Sequence, residues 1–222
     1  MATPYFQLRR EEVASTQDVA RAGVGDLPLL VIAGSQTRGR GRSGAHWENA
    51  DRALAVSLAF HHEDEDRRPF SLMAGLAAVR AIGDTELKWP NDVLRQGLKV
   101  GGILVERNEE TTVIGLGLNL WWPEAPDGAG AIFDTDPGPS GRDELGALWG
   151  AELMELIDAE GWPVDAYRLV CSTLGREITW EPDGSGTAVD VTGEGHLVVD
   201  TPQGRREIYS GAISQVRTSE SG

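Results

Sequence analysis

Four apolar runs constrain the fold of this chain more than any other feature. They lie at residues 27–33 (LPLLVIA), 53–60 (ALAVSLAF), 100–105 (VGGILV) and 113–120 (VIGLGLNL). Runs this short fit strands buried in a core. Residues 5–13 read as a further strand, after which Ser15 or Thr16 caps a helix through about Ala22, with Asp18 near its positive end. Residues 69–82 (PFSLMAGLAAVRAI) have helical spacing behind a leading proline. Residues 123–140, rich in Pro, Gly and Asp, read as a long exposed loop. Residues 141–160 predict a helix or helix pair that turns Leu145, Leu148, Leu153, Leu156 and Ile157 to the core. Residues 163–174 continue the helical packing. From Arg176 the pattern changes to short strands (EITW, TAVDV, HLVVD, REIYS, AISQV) parted by Asp183-Gly184, Gly193-Glu194-Gly195 and Gln203-Gly204. That alternation fits a small barrel.

Between the first two apolar runs lies GSQTRGRGRSGAHW, residues 34–47. Glycine permits close backbone approach, and each arginine offers a permanently charged fork for carboxylates and phosphates. Together they can wrap an anionic ligand with backbone N–H groups and guanidinium. A solvated arginine-glycine loop or an RNA-binding tract has the same composition. Strands on both sides count against the disordered tract. So does the formal net charge of −15, because nucleic-acid binding needs a large basic surface. No run approaches the roughly 18–20 apolar residues of a membrane span, and the N-terminus has no apolar signal core. The lone Cys171 excludes an internal disulfide and suits a reducing cytoplasm as a small core residue.

Of twenty cations, only Lys88 and Lys99 are lysine. A position that keeps lysine against that bias calls for a compact ammonium on a flexible stem. Both flank one hairpin, with strands around Val93-Leu94 and 100–105 and a turn at Gln96-Gly97. Lys88 precedes the corner Trp89-Pro90-Asn91-Asp92, and Lys99 precedes Val100-Gly101-Gly102. Gly115 and Gly117 share one face of the next strand and leave a flat slot for a ring system, followed by the Asn119 amide. His61 and His62 sit in a solvated turn, where adjacent residues seldom converge on a metal.

Five pieces in this order resemble the biotin protein ligase family. They are Ser15-Thr16 after a strand, Gly39-Arg40-Gly41-Arg42 with Trp47, Lys88-Trp89-Pro90-Asn91-Asp92, Lys99-x-x-Gly102-Ile103-Leu104-Val105-Glu106, and Gly115 to Asn119 as GLGLN. The resemblance implies an α+β fold: a mixed sheet with helices over residues 1–174, of the class II synthetase and biotin–lipoate ligase type, then an SH3-like barrel over 175–222. It also implies formation of biotinoyl-5′-AMP from biotin and ATP, with Mg²⁺, and transfer of biotin to a lysine of a biotin carboxyl carrier protein domain. Lys99, Arg40 and Arg42 would be catalytic. Biotin would lie beside Ser15, Thr16, Gln17, Gln36, Gly39, Arg40, Gly41, Arg42, Lys99 and Gly102. Arg42, Trp47, Lys88, Asn91, Asp92, Lys99 and Asn119 would hold the nucleotide, with Trp47 on adenine and Asp92 the one candidate for the metal. The loop would close over the adenylate and exclude water, so biotin plus ATP should suppress proteolysis within 37–47.

The chain departs from the family pattern at Gln17, where Asn is common, and at Ser43 and Ala45, where further arginines are frequent. It begins directly at the catalytic part, so the repressor activity of relatives with a helix-turn-helix should be absent. A cytoplasmic enzyme, monomer or homodimer, with neither nucleic-acid nor membrane partners is expected. Two rival readings are a lipoate or octanoate ligase on the same fold and a non-catalytic biotin-binding module. The complete KWPND and KxxGILVE pair and the C-terminal strands favour biotin over lipoate, and the two lysines with Trp47 favour catalysis over mere binding.

Overall fold

The structure, a computed structural model, describes residues 3–62, 66–138, 140–209 and 217–218. Its larger sheet has the order β1-β2-β3-β7-β6-β5-β4. The strands are β1 (Phe6–Val13), β2 (Leu29–Gln36), β3 (Arg52–His61), β4 (Glu86–Lys88), β5 (Asp92–Arg95), β6 (Leu98–Arg107) and β7 (Thr111–Trp121). Only β1 and β2 run parallel; every other neighbour is antiparallel. The sheet is therefore mixed, as the resemblance implies.

The apolar runs are continuous because the central strands are covered on both faces. Leu30 and Ile32 of β2, Leu54, Val56 and Leu58 of β3, and Ile114, Leu116 and Leu118 of β7 enter the main core. There they meet helix α2 (Phe70–Ile82) and helix α3 (Ser140–Asp158). The alternate residues Leu29, Val31, Ala59 and Val113 form a smaller cluster with Ala20 of helix α1 (Thr16–Gly23). Beyond α1 that second face carries Ser57, Gly115 and Gly117, all of which line an open cavity. Small residues there leave a hollow where the opposite face is packed solid.

Three expectations are corrected. Leu148 is 55% exposed. The buried arc of α3 runs through Leu145, Trp149, Leu153 and Leu156, and at 100° per residue Leu148 falls off it. Helix α4 (Val164–Val170) ends sooner than expected. Its continuation leaves the helix to pair with β4: Cys171 bridges Leu87, and the Ser172 amide donates to the Leu87 carbonyl at 2.9 Å. The arginine-glycine segment is also more regular than its composition predicts, as described below. Cys171 is buried, and burial pushes its thiol up from the ordinary value.

The chain closes with a small antiparallel sheet of order β11-β10-β9-β8-β12. It comprises β8 (Glu177–Trp180), β9 (Gly184–Val191), β10 (Leu197–Thr201), β11 (Gly204–Ile208) and β12 (Arg217–Thr218). The strand expected at 212–216 lies outside the described residues.

Candidate active site

A cavity of about 330 Å³ opens on the α1 face of the larger sheet. The N-terminus of α1 forms one end of it. The Thr16 amide and hydroxyl both donate to Gln36 Oε1, at 2.8 and 3.1 Å, and the Thr16 and Ser57 hydroxyls lie 2.8 Å apart. Gln17 donates from Nε2 to the Leu104 carbonyl at 3.1 Å, while its Oε1 is buried with no partner among the described residues. This end offers several donors and acceptors at fixed positions. Ser57 was not singled out from the sequence. Its signal was a hydroxyl inside the apolar run ALAVSLAF, since a buried polar group needs a partner.

The other end is cationic. Lys99, on β6, places Nζ 2.6 Å from Asp92 Oδ1 across the β5–β6 pair. The turn between these strands has Gln96 and Gly97 both at positive φ (53° and 76°), a type I′ hairpin. Arg42 donates to Asn91 Oδ1 at 3.1 Å. Burial lowers the Arg42 pKa, and the nearby Asp92 charge opposes that shift. Asn91 is in turn fixed by its own amide on the Ile103 carbonyl at 3.3 Å. Lys88 lines the cavity beside the cis Trp89–Pro90 peptide.

The arginine-glycine segment is itself a tight hairpin. Arg40 bridges His46, the Gly41 amide bonds the Ala45 carbonyl at 2.7 Å, and the Trp47 amide bonds the Gly39 carbonyl at 3.1 Å. A single 3₁₀ turn, Arg42–Gly44, forms its tip. Its foot continues the β1–β2 pairing through Thr37 to Val13 and Arg38 to Ala14. The slot expected over the strand glycines is filled by the protein's own groups. A Cβ on Gly117 would stand 2.7–3.0 Å from the Trp47 indole, and one on Gly102 would stand 3.2 Å from it. A Cβ on Gly115 would meet the Gln17 amide and the Ser57 hydroxyl at 3.2 Å. Trp47 therefore lies on the strand glycines, at the cationic side of the cavity.

Ser15, Thr16, Gln17, Gln36, Arg40, Gly41, Arg42, Trp47, Lys88, Asn91, Asp92, Lys99 and Gly102 all line this cavity. Gly39 and Asn119 do not. Gly39 packs against Trp47 and Gln36 at the hairpin foot. Asn119 is buried and donates to the Gly130 carbonyl at 3.2 Å. It is covered because residues 129–133 fold back along β6 and β7, with Gly130 bonded to Lys99 and Ile132 to Asn119 through the backbone. Arg40 reaches the cavity rim, but its guanidinium is engaged by Asp18 and Glu106. Those two carboxylates were not among the residues expected at the site.

Residues 15–119 match the Biotin/lipoate A/B protein ligase family, and residues 173–215 match the Biotin protein ligase C terminal domain. The chain is 31% identical to a biotin–acetyl-CoA-carboxylase ligase of Mycobacterium tuberculosis, over 90% of this chain and 84% of that protein. It is 28% identical to the bifunctional ligase/repressor BirA of Bacillus subtilis over 83% of its own length, spanning 65% of that protein. Among solved structures, the biotin protein ligase from Aquifex aeolicus in complex with biotin and ATP superposes with a TM-score of 0.82 at 26% identity, covering 96% of this chain and 99% of that one. The Leishmania major enzyme in complex with biotinyl-5-AMP gives 0.67 at 25% identity, covering 93% and 99%.

Proposed function

Since the chain belongs to the biotin protein ligase family, we propose that it joins biotin to a lysine of a biotin carboxyl carrier protein domain of a carboxylase in two steps. In the first, a biotin carboxylate oxygen attacks the α-phosphorus of ATP, the bond to the β-phosphate breaks, and pyrophosphate leaves. In the second, the neutral amine of the carrier lysine attacks the carbonyl of the mixed anhydride, AMP leaves, and the nitrogen sheds a proton. Residues 1–174 carry this chemistry in the cytoplasm, with 175–222 as a separate C-terminal domain.

The observation that carries the reading is one cavity with two chemically opposite ends. The ureido group of biotin presents donors and an acceptor together. The Thr16, Gln36 and Ser57 end matches that mixture, and the Gln17 amide lies beside it. The carboxylate and the polyphosphate repel each other, and Lys99 and Arg42 stand at the end where they would meet. Fixed cations there stabilise charge that concentrates in the transition state. At an effective dielectric of about 20, each close ionic contact amounts to roughly 4 kcal/mol, part of it shared with the ground state. Trp47 and the hairpin that carries it cover the same end and keep water from the anhydride.

Mg²⁺ prefers carboxylate, phosphate and water oxygens. The described residues hold no cluster of three or more potential metal ligands, and Asp92 is bonded to Lys99. These residues fit a Mg²⁺ brought in on the nucleotide phosphates, with Asp92 as its one protein carboxylate and charge neutralisation as its contribution.

A lipoate or octanoate ligase would share this fold, but the match over 173–215 to the biotin ligase C-terminal domain favours biotin. The test is exchange of labelled pyrophosphate into ATP with biotin, lipoate or no acid, followed by labelling of a purified carrier domain. Biotin-dependent exchange and carrier labelling are expected. Exchange with lipoate alone, or binding of biotin without exchange, would overturn the reading.

A further inference from the structure

We propose that Asp18 and Glu106 are positioning residues for this ligation: they fix Arg40 as a post at the foot of the hairpin, which sets how Arg42 and Trp47 sit over the reacting groups. The inference rests on the adenylate-forming reading above. It assigns Arg40 a role in geometry in place of the direct contact with substrate expected from the sequence.

Arg40 Nη1 and Nη2 donate to the two oxygens of Asp18 at 2.9 and 2.7 Å. Its Nε and Nη2 reach the two oxygens of Glu106 at 3.4 Å. Glu106 also takes Arg21 Nη2 at 2.7 Å, and Arg21 lies 3.9 Å from Asp18. Each nitrogen of the Arg40 fork thus already faces a carboxylate. A guanidinium recognises phosphate through that same fork, so one filled in this way has no edge left to offer. The four side chains carry two positive and two negative charges. The group is neutral and adds no net attraction for a polyphosphate.

Its position explains what it does instead. Asp18 lies in the first turn of α1 with Thr16 and Gln17, and Glu106 lies on β6, which also carries Lys99 and Gly102. Arg40 ties the hairpin to both elements that supply the cavity's polar and cationic ends. From that anchor the chain reaches Arg42 in two residues, and the Arg40–His46 bridge leads directly to Trp47. The Arg40 bond also holds the Asp18 carboxyl below its ordinary range, so the pair remains ionised throughout neutral pH.

The experiment forms biotinoyl-5′-AMP on the full chain from biotin and ATP without carrier, and follows its escape into solution by rapid filtration. Asp18→Asn with Glu106→Gln should release the adenylate about tenfold faster than the unaltered chain, because a loosened hairpin no longer holds its cover in place. Arg40→Ala should do the same, and the triple variant should be no faster than either. Asp18→Glu, which keeps the carboxylate, should restore retention. If the carboxamide pair fails to fold, Asp18→Asn alone, at a position 55% exposed, is read the same way. Normal retention in the carboxamide variant with loss in Arg40→Ala would show that Arg40 acts on substrate and would overturn the post. Losses that add in the triple variant would also overturn it. An unaltered chain with no biotin-dependent exchange would instead overturn the adenylate-forming reading itself.

Discussion

At 2.6 Å from Asp92, the Lys99 ammonium is held ready at the cationic end of the cavity by a carboxylate of the neighbouring strand. Replacing it with Gln keeps much of the stem and removes the charge. Loss of one such donor typically costs about 10²–10³ in rate, so Lys99→Gln should lower biotin-dependent pyrophosphate exchange by that factor. Lys99→Arg should rescue little, because a planar fork does not replace a compact ammonium. An exchange rate within twofold of the unaltered chain would remove Lys99 from the chemistry. Gly117 makes a different demand. A methyl group there would enter the Trp47 indole, and overpacking in a rigid core costs roughly 1–3 kcal/mol. Trp47 sits on a hairpin that can give way, so Gly117→Ala should instead change little in melting temperature and speed tryptic cleavage after Arg40 or Arg42. A large fall in melting temperature with unchanged cleavage would mean that the ring cannot move. Lys99 stood out in the sequence because lysine is so scarce there. The partners of Arg40 did not, since no local pattern pairs residue 40 with residues 18 and 106.

Strands were legible wherever both faces are buried. The runs at 27–33, 53–60, 100–105 and 113–120 became β2, β3, β6 and β7 with ends shifted by a few residues, because apolar continuity reports burial directly. The arginine-glycine hairpin was legible as a ligand loop but not as a hairpin. Its order comes from backbone bonds such as Gly41 to Ala45, which side-chain identity does not encode. Asn119 was misplaced relative to the cavity for a similar reason: residues 129–133 cover it through backbone pairing, and their composition reads only as loop. The corner between β4 and β5 shows an element held from outside. Trp89 is buried; its backbone amide donates to the Thr173 hydroxyl oxygen at 2.9 Å, and its indole N–H donates to the Gly195 carbonyl at 3.1 Å. Trp89→Phe would leave that carbonyl unpaired, at about 1–3 kcal/mol. For a chain of this size each kcal/mol lowers the melting temperature by about 2–4 °C. The same variant should raise the KM for ATP more than that for biotin, because Lys88, Asn91 and Asp92 extend from the corner to the cationic end. Equal shifts in both would mean that the corner does not serve the nucleotide end selectively.

Across the whole molecule the excess of acids over bases raises the question of how stability responds to pH. Asp18, Asp66, Asp136, Asp200 and Glu11 all have pKa values lowered, in each case first by a hydrogen bond from an arginine. The partners are Arg40, Arg68, Arg52, Arg205 and Arg142 respectively. The folded form therefore binds fewer protons than the unfolded one around and below the ordinary carboxylate values of about 3.9–4.3. Stabilisation from these pairs is complete above those values and is lost as pH falls through the lowered ones. The net charge of −15 acts in the opposite sense, since acid relieves self-repulsion on the way to the isoelectric point near 4.6. Between pH 8 and about 5 the arginine-bonded carboxylates stay ionised, so the pairs contribute a constant amount there while the shrinking negative charge eases self-repulsion. Below about pH 4 the ion pairs lose their carboxylates while positive charge accumulates, and both changes then weaken the fold. Urea unfolding between pH 3 and 8 should give a midpoint that holds or rises slightly from 8 to about 5 and falls steeply below about 4. A midpoint that held level down to pH 3 would instead show that the loss of the arginine–carboxylate pairs is not what sets acid stability.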